Sequence, residues 1–276
     1  MTGLRTLITN DDGIAAPGLL ALARAALSAG LNPVVAAPMH EASGMSAAMT
    51  ATEHEGRVVL KVHKLVGLEE VPAYAVAGSP GFIALIASRG AFGDPPKLVL
   101  SGINRGANAG HAILHSGTVG AALTAAAAGA RAMAVSLDVL TAAAATAERG
   151  GAALAALSLV DDEVRNWPTA ARYAGDLLPA LQAAPAGTVF NLNVPDAPRE
   201  GVRGLRRAQM ARFGQVQVTI AEVGHGFVRT ALEEQTADYA EGTDLAYLSA
   251  GYATVTALRG ISAASDPDLL PGIPGP

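Results

Sequence analysis

Residues 5–18, "RTLITNDDGIAAPG", decide how the rest of the chain is read. Leu7 and Ile8 read as part of a short buried strand. Gly13 and Pro17 read as the approach to a helix, with Pro17 suited to the first helical turn. A strand running into a helix is the opening unit of an α/β fold, and such folds bind ligands beyond the C-terminal ends of their strands. Asn10, Asp11 and Asp12 stand at that end. Adjacent strand residues point to opposite faces, so Asp11 and Asp12 share a ligand only where the strand has ended, and Gly13 permits that turn. Two ionised carboxylates held close repel each other, and a hard divalent cation such as Mg²⁺ or Mn²⁺ between them removes the conflict. Ordinary turn chemistry competes with this reading, one Asp capping the next helix and the other facing water. The stretch alone leaves both open.

Outward from it, strand and helix signals alternate. "APGLLALARAALSAG" reads as a helix with Gly30 at its C-terminal cap, and "NPVVAAP" as a second strand. "RVVLKVHKL" and "PAYAVAG" read as strands, "PGFIALIASRGA" as a helix and "PKLVLSG" as a buried strand. A Gly/Asn-rich loop, "INRGANAGHAILHS", precedes the helix "GTVGAALTAAAAGA" and the strand "AMAVSL". Residues 139–166 are alanine-rich with a weak period and read as helical or partly irregular. "PTAARYAGDLLPALQAA" reads as a helix bent or ended near Pro179, and "GTVFNLNVP" as a strand. Beyond residue 200, "QVQVTIAEV" and "GFVRTALEEQ" form a hairpin pattern around "GHG", followed by a short helix feeding a strand in "GTDLAYLSAGYATVTALRG". The tail "SDPDLLPGIPGP" reads as poorly ordered. The expected fold class is therefore α/β: a three-layer α/β/α, Rossmann-like, mostly parallel sheet over residues 1–195. Residues 196–276 are expected to form a C-terminal extension of hairpin arm, short helix and strand, and tail.

The bulk numbers narrow the function classes. The 276 residues contain no cysteine, which removes disulfides, thiolate metal sites and cysteine nucleophiles and fits a reducing cytoplasm. A net charge of −5 argues against a nucleic-acid binder, which needs a basic face. No window offers about 18 uninterrupted apolar residues, so no membrane span is expected.

Other strand ends also carry polar residues. Ser43 and Ser46 follow the second strand, and Asn104 and Asn108 follow "KLVLSG". "HSGTVG" puts Ser116, Gly117 and Thr118 at a helix start, where free backbone N–H groups and two hydroxyls suit a phosphate. An ordinary Ser N-cap is the competing reading. The chain has no "GxxxxGK[ST]" loop, and no "GxGxxG" follows the first strand, so neither a P-loop nor a dinucleotide fold is supported. His40, His54, His63, His111, His115 and His225 form no metal-ligand motif. The pair Asp161–Asp162 in "VDDEV" reads as an exposed charged stretch.

With those residues in place the chain resembles the SurE survival-protein family, metal-dependent nucleotidases with broad phosphatase activity. The segments that carry the resemblance are "LITNDDGIAAPGL", "VVAAPMHEASGMSAAMT", "GSPGFIALIA", "LVLSGINRGANAGHAILHSGTVGAAL", "AMAVSL", "FNLNVP" and "GTDLAYLSAGYATVT", in the family's order. The resemblance implies Asp11, Asp12, Ser43 and Asn104 as ligands of one divalent cation per subunit, with Asp11 and Asp12 in the catalytic centre. It implies Asn10, Asn108, Ser116, Gly117 and Thr118 as the phosphate pocket, a small nucleotide as substrate, and a homodimer or homotetramer built by exchange of C-terminal elements. Met39, Ala42, Gly81, Phe82 and Thr124 depart from residues common in the family, none of them a metal ligand, and bear on substrate preference. A non-catalytic nucleotide or metal sensor on the same fold is the alternative reading.

Overall fold

The structure, a computed structural model, describes residues 3–42, 44–54, 57–139, 162–212, 216–234 and 239–260. Ser43, residues 140–161 and the tail from residue 261 lie outside the described residues, so the readings made for them stand as expectations.

The opening strand β1 (Arg5–Thr9) runs inside a nine-stranded sheet. Strand β2 (Asn32–Pro38) pairs with it on one side and β7 (Leu98–Arg105) on the other, both parallel. The β2 side continues through parallel β6 (Ala73–Val76) to antiparallel edge strand β5 (Leu60–His63). The β7 side continues through parallel β8 (Arg131–Asp138) and β9 (Thr188–Pro195). The chain thus winds outward from β1 in both directions, which leaves a crevice between the C-terminal ends of β1 and β7 where ligands bind in open α/β sheets.

Strand alternation explains the layering. Leu7 faces one apolar cluster and Ile8 the other, and in β7 Leu98, Val99 and Leu100 alternate in the same way. Both faces are covered, so these strands read as continuous apolar runs. One face is covered by α1 (Pro17–Ser28) and α4 (Trp167–Ala183), through Leu19, Leu22, Leu178 and Leu181. The other is covered by α2 (Pro80–Ser88) and α3 (Gly117–Ala127), through Ile83, Val119 and a row of alanines. Those small side chains let α3 lie close to the sheet, which gives the alanine run a packing role.

Three expectations change in detail. The helix α4 continues past Pro179 to Ala183. Pro179 is exposed, so the Gly175 carbonyl that loses its partner has access to water. "RVVLKVHKL" divides into β4 (Arg57–Val58), which pairs with β3 (Glu53–His54), and β5, which joins the main sheet. The third concerns the boundary at residue 195, which is not a boundary of the sheet. The strand β13 (Ala253–Arg259) pairs antiparallel with β9, and β10 (Leu205–Arg207) pairs with β13, so residues from both expected units complete one sheet. The hairpin forms as expected from β11 (Val216–Gly224) and β12 (Phe227–Glu234), with His225 and Gly226 at the turn. Among the described residues no helix is long and apolar enough to cross a membrane.

Asp244 fastens the extension to the core. It opens the short helix α5 (Asp244–Ser249) and is fully buried. Its Oδ2 accepts from the Gly110 N–H at 2.8 Å, and its Oδ1 accepts from the N–H groups of Ala211 and Leu245, each at 2.9 Å. Replacing it by alanine strands three N–H donors, and an unsatisfied buried donor costs about 1–3 kcal/mol. Asp244→Ala is therefore expected to lower stability by at least ~2 kcal/mol. Urea unfolding followed through the fluorescence of Trp167, the one tryptophan, measures it.

Candidate active site

The turn after β1 is shaped by its own side chains. Asn10 is fully buried, and its amide Nδ2 donates to the Gly13 carbonyl at 2.9 Å while its Oδ1 accepts from the Gly13 N–H at 3.2 Å. Gly13 has φ +100°, a conformation that a Cβ disfavours. The clamp follows the end of the strand at Thr9, two residues before Asp11, and lets both carboxylates leave the strand alternation. Asn10 thus acts within the turn.

Asp11 is buried against the start of α3, and the Thr118 hydroxyl donates to its Oδ1. A Cβ on Gly117 would lie 2.8 Å from Asp11 Oδ2 and 2.9 Å from its Cβ, so the approach requires glycine there. Burial raises the Asp11 pKa, and the hydroxyl and backbone N–H of Thr118 oppose that shift. Helix N-termini favour anions, and here the anion at the first turn is a side chain of the protein. Ser116 is the N-cap of the same helix, its Oγ accepting from the Val119 N–H at 3.0 Å. The cap reading of Ser116 is therefore correct, and Thr118 faces Asp11.

Asp12 is half-buried, and its Oδ2 has no hydrogen-bond partner among the described residues. Burial first, and then the charge of Asp11, push its pKa to about 7, while the backbone N–H and the side chain of Arg105 pull the other way. It lines a cavity of about 270 Å³ together with Glu41, Arg105, Asp162 and Trp167. Asp162, expected as a solvated charge, instead accepts from Arg165 at 2.8 Å and lies 3.6 Å from Arg105 Nη1.

The Asn-rich loop reaches the site through a bulge. Strand β7 gains a residue against β8 between Ser101 and Asn104, which breaks the register just before Asn104. Asn104 Nδ2 donates to the Gly106 carbonyl at 2.8 Å, and the neighbouring Arg105 N–H faces the Asp12 carboxylate. Asn108 ties the loop to the sheet. Its Nδ2 donates to Ser136 Oγ at 2.9 Å, its N–H to Asn193 Oδ1 at 2.7 Å, and its carbonyl accepts from the amides of Asn191 and Asn193. The loop after β2 meets the carboxylates at Ala42, whose N–H donates to the Asp11 carbonyl at 2.7 Å.

The donor set suits a hard cation. Asp12 contributes a carboxylate oxygen without a partner among the described residues and Asp11 a second carboxylate one residue away; burial raises the pKa of both, the charge of Asp11 adds to the shift of Asp12, and a cation would favour the ionised form of each. Among the described residues no group of three or more His, Asp or Glu side chains surrounds one point, so further ligands there would be neutral oxygens.

The family model described as "Survival protein SurE" matches residues 6–217. The chain belongs to the SurE family. A SurE relative from Nitratidesulfovibrio vulgaris, named 5′-nucleotidase SurE, is 33% identical over 270 residues, 93% of each chain. Another of that name from Symbiobacterium thermophilum is 37% identical over 207 residues, 75% of this chain and 72% of its own. Among solved structures, the SurE protein from Aquifex aeolicus superposes with a TM-score of 0.67 at 27% identity, covering 92% of this chain and 93% of that one.

Within this SurE chain the structure brings Asp11, Gly117 and Thr118 into contact, sets Asp12 beside them on the cavity with Arg105, and places Asn10 and Ser116 in the turn and the helix cap. Asn104 and Asn108 come from the adjacent strand end. Ser43 lies outside the described residues. Asn191, Asn193 and Asp244 lie outside the motifs that mark the site in the sequence. The polar alternation of "FNLNVP" was a signal for the first two, since asparagines inside a buried strand need partners.

Both carboxylates have raised pKa, so the metal-free folded state keeps protons that the unfolded chain releases. Their contribution to stability is then fully present below about pH 3.8 and is lost as pH rises, for Asp12 through about 7. Asp12→Asn removes its share of that loss. In chelator, the melting temperature of Asp12→Asn relative to wild type is expected to be higher at pH 8 than at pH 5.

Proposed function

We propose that the chain hydrolyses nucleoside 5′- and 3′-monophosphates to nucleoside and phosphate, using one divalent cation, Mg²⁺ or Mn²⁺, per subunit. The reading is carried by the unpartnered carboxylate oxygen of Asp12 beside buried Asp11, at the crevice between β1 and β7. It is supported by the name 5′-nucleotidase that the relatives bear. Asp11, Asp12, Ser43 and Asn104 are the proposed ligands. When bound, the cation neutralises charge on the transferring phosphoryl group.

The chain's own residues orient and fix that centre. Thr118 holds the Asp11 carboxylate in one direction. The first turn of α3, at Ser116, Gly117 and Thr118, is the proposed seat for phosphoryl oxygens beside Asp11; the Thr118 N–H already serves that carboxylate and the Val119 N–H the Ser116 cap, so the positive end of the helix, not a set of free amides, favours an anion there. Asn10 and Asn108 hold the flanking loops in shape around that seat. We place the reaction in the cytoplasm, which a cysteine-free chain suits.

The test is phosphate release from a panel of nucleoside monophosphates with Mg²⁺, Mn²⁺ or chelator. Activity is expected with metal and not with chelator, and Asp12→Asn is expected to lower kcat/KM at least ~100-fold. Full activity in chelator, or in Asp12→Asn, overturns the ligand assignment.

The same proposal assigns the β11–β12 hairpin as an assembly arm. It carries exposed Ile220, Val223, Phe227 and Val228, with the cross-strand pair Val223–Val228 on one face and Phe227 on the other, apolar surface suited to burial against another copy of the chain. Sedimentation is expected to show a dimer or tetramer, and Val223→Ser combined with Phe227→Ser to shift it toward monomer.

A further inference from the structure

A cavity of about 550 Å³ opens beyond the ends of β2 and β6, separate from the one at Asp12. Its volume lies within the ~300–1,000 Å³ range of small-molecule sites. Met39, Met45, Val59 and Val76 supply apolar wall, and exposed Thr50 and Thr52 supply hydroxyls. Two observations join it to the carboxylates. Glu41 lines both cavities, and Ala42, which lines the larger one, donates its N–H to the Asp11 carbonyl at 2.7 Å. The two spaces therefore share a wall made by consecutive residues.

We propose that this cavity seats the nucleobase of the substrate, and that Met39 and Met45 are its specificity-determining side chains. The inference rests on the nucleotidase reading above and extends it from the phosphate to the base. An apolar cavity one wall away from a phosphate-processing centre fits a ligand with an anionic head and a flat heteroaromatic body. Thioethers suit that body, because methionine sulfur makes favourable contacts with aromatic rings and its flexible chain adapts to their outline.

The local hydrogen bonding also says how the base is read. Four main-chain amides around the cavity are already paired: Met39 N–H with the Val76 carbonyl at 2.9 Å, Thr52 N–H with Ala77 at 2.8 Å, Ala77 N–H with Val59 at 2.9 Å and Ser79 N–H with Thr50 at 2.8 Å. Those four amides are not available to read the hydrogen-bonding edge of a base. Recognition rests mainly on apolar contact and the ring face, with the Thr50 and Thr52 hydroxyls as adaptable polar contacts, and such a seat tells bases apart weakly. The cavity thus favours nucleotides over base-free phosphate esters and accepts both purines and pyrimidines.

Two measurements test this. The first needs no turnover: protein carrying ¹³C-methyl methionine is titrated with adenosine, and separately with ribose. Met39 and Met45 methyl signals are expected to move with adenosine and not with ribose, while fully buried Met133 stays in place. Signals that do not move with adenosine overturn the proposal even where phosphate release is normal. Moving signals without phosphate release uphold the base seat and refute the nucleotidase reading instead. The second compares rates. Met45→Ala is expected to lower, about tenfold, the ratio of kcat/KM for adenosine 5′-monophosphate to that for ribose 5-phosphate. The corresponding ratio for cytidine 5′-monophosphate is expected to fall by a similar factor. An unchanged ratio for both nucleotides overturns the assignment of Met45.

Discussion

The carboxylate of Asp11 lies across the first turn of α3, and the site exists because only a hydrogen stands on the Cα of Gly117. Burying a carboxylate is unfavourable unless hydrogen bonds compensate, and Thr118 supplies them from both its hydroxyl and its amide. One member of the adjacent pair is thereby held in place by the protein. The other, Asp12, keeps an oxygen that no described residue satisfies. This asymmetry separates a ligand site from a merely acidic turn, in which both carboxylates would find donors or water.

The rest of the fold serves that contact. The sheet reverses its winding at β1, which sets the ends of β1 and β7 side by side. The bulge in β7 then shifts the backbone so that the Arg105 amide meets Asp12, and Asn191, Asn193 and Ser136 hold Asn108 from the neighbouring strands. Asp244 reaches back from the C-terminal extension to the Gly110 amide, so the last part of the chain fixes a loop of the first. The extension and the core act as one structure around the site.

Most of the strands and helices were legible because their signals are local. Apolar runs bounded by Gly, Pro and Asn mark β1, β2, β7 and β8, and Pro17 and Gly30 bracket α1. Local signals were weaker guides where the surroundings decided. Pro179 stays in its helix because it faces solvent, and "RVVLKVHKL" divides because two different partners pair with its two halves. Within the site, "NDDG" and "HSGTVG" drew attention because both combine a turn glycine with polar neighbours. Asn191, Asn193 and Asp244 did not, since their roles lie in bonds to residues 83, 85 and 134 positions away.

The order of elements, the mostly parallel sheet and the candidate ligands Asp11 and Asp12 are consequences of residue type and spacing, which act over a few positions and survive in a one-dimensional reading. The roles of those residues are consequences of folding. Asn10 becomes a turn clamp, Ser116 a cap and Thr118 the partner of Asp11, while Asp12 keeps an oxygen unpaired among the described residues, because hydrogen-bond partners and burial are set by strands and helices that meet only in three dimensions.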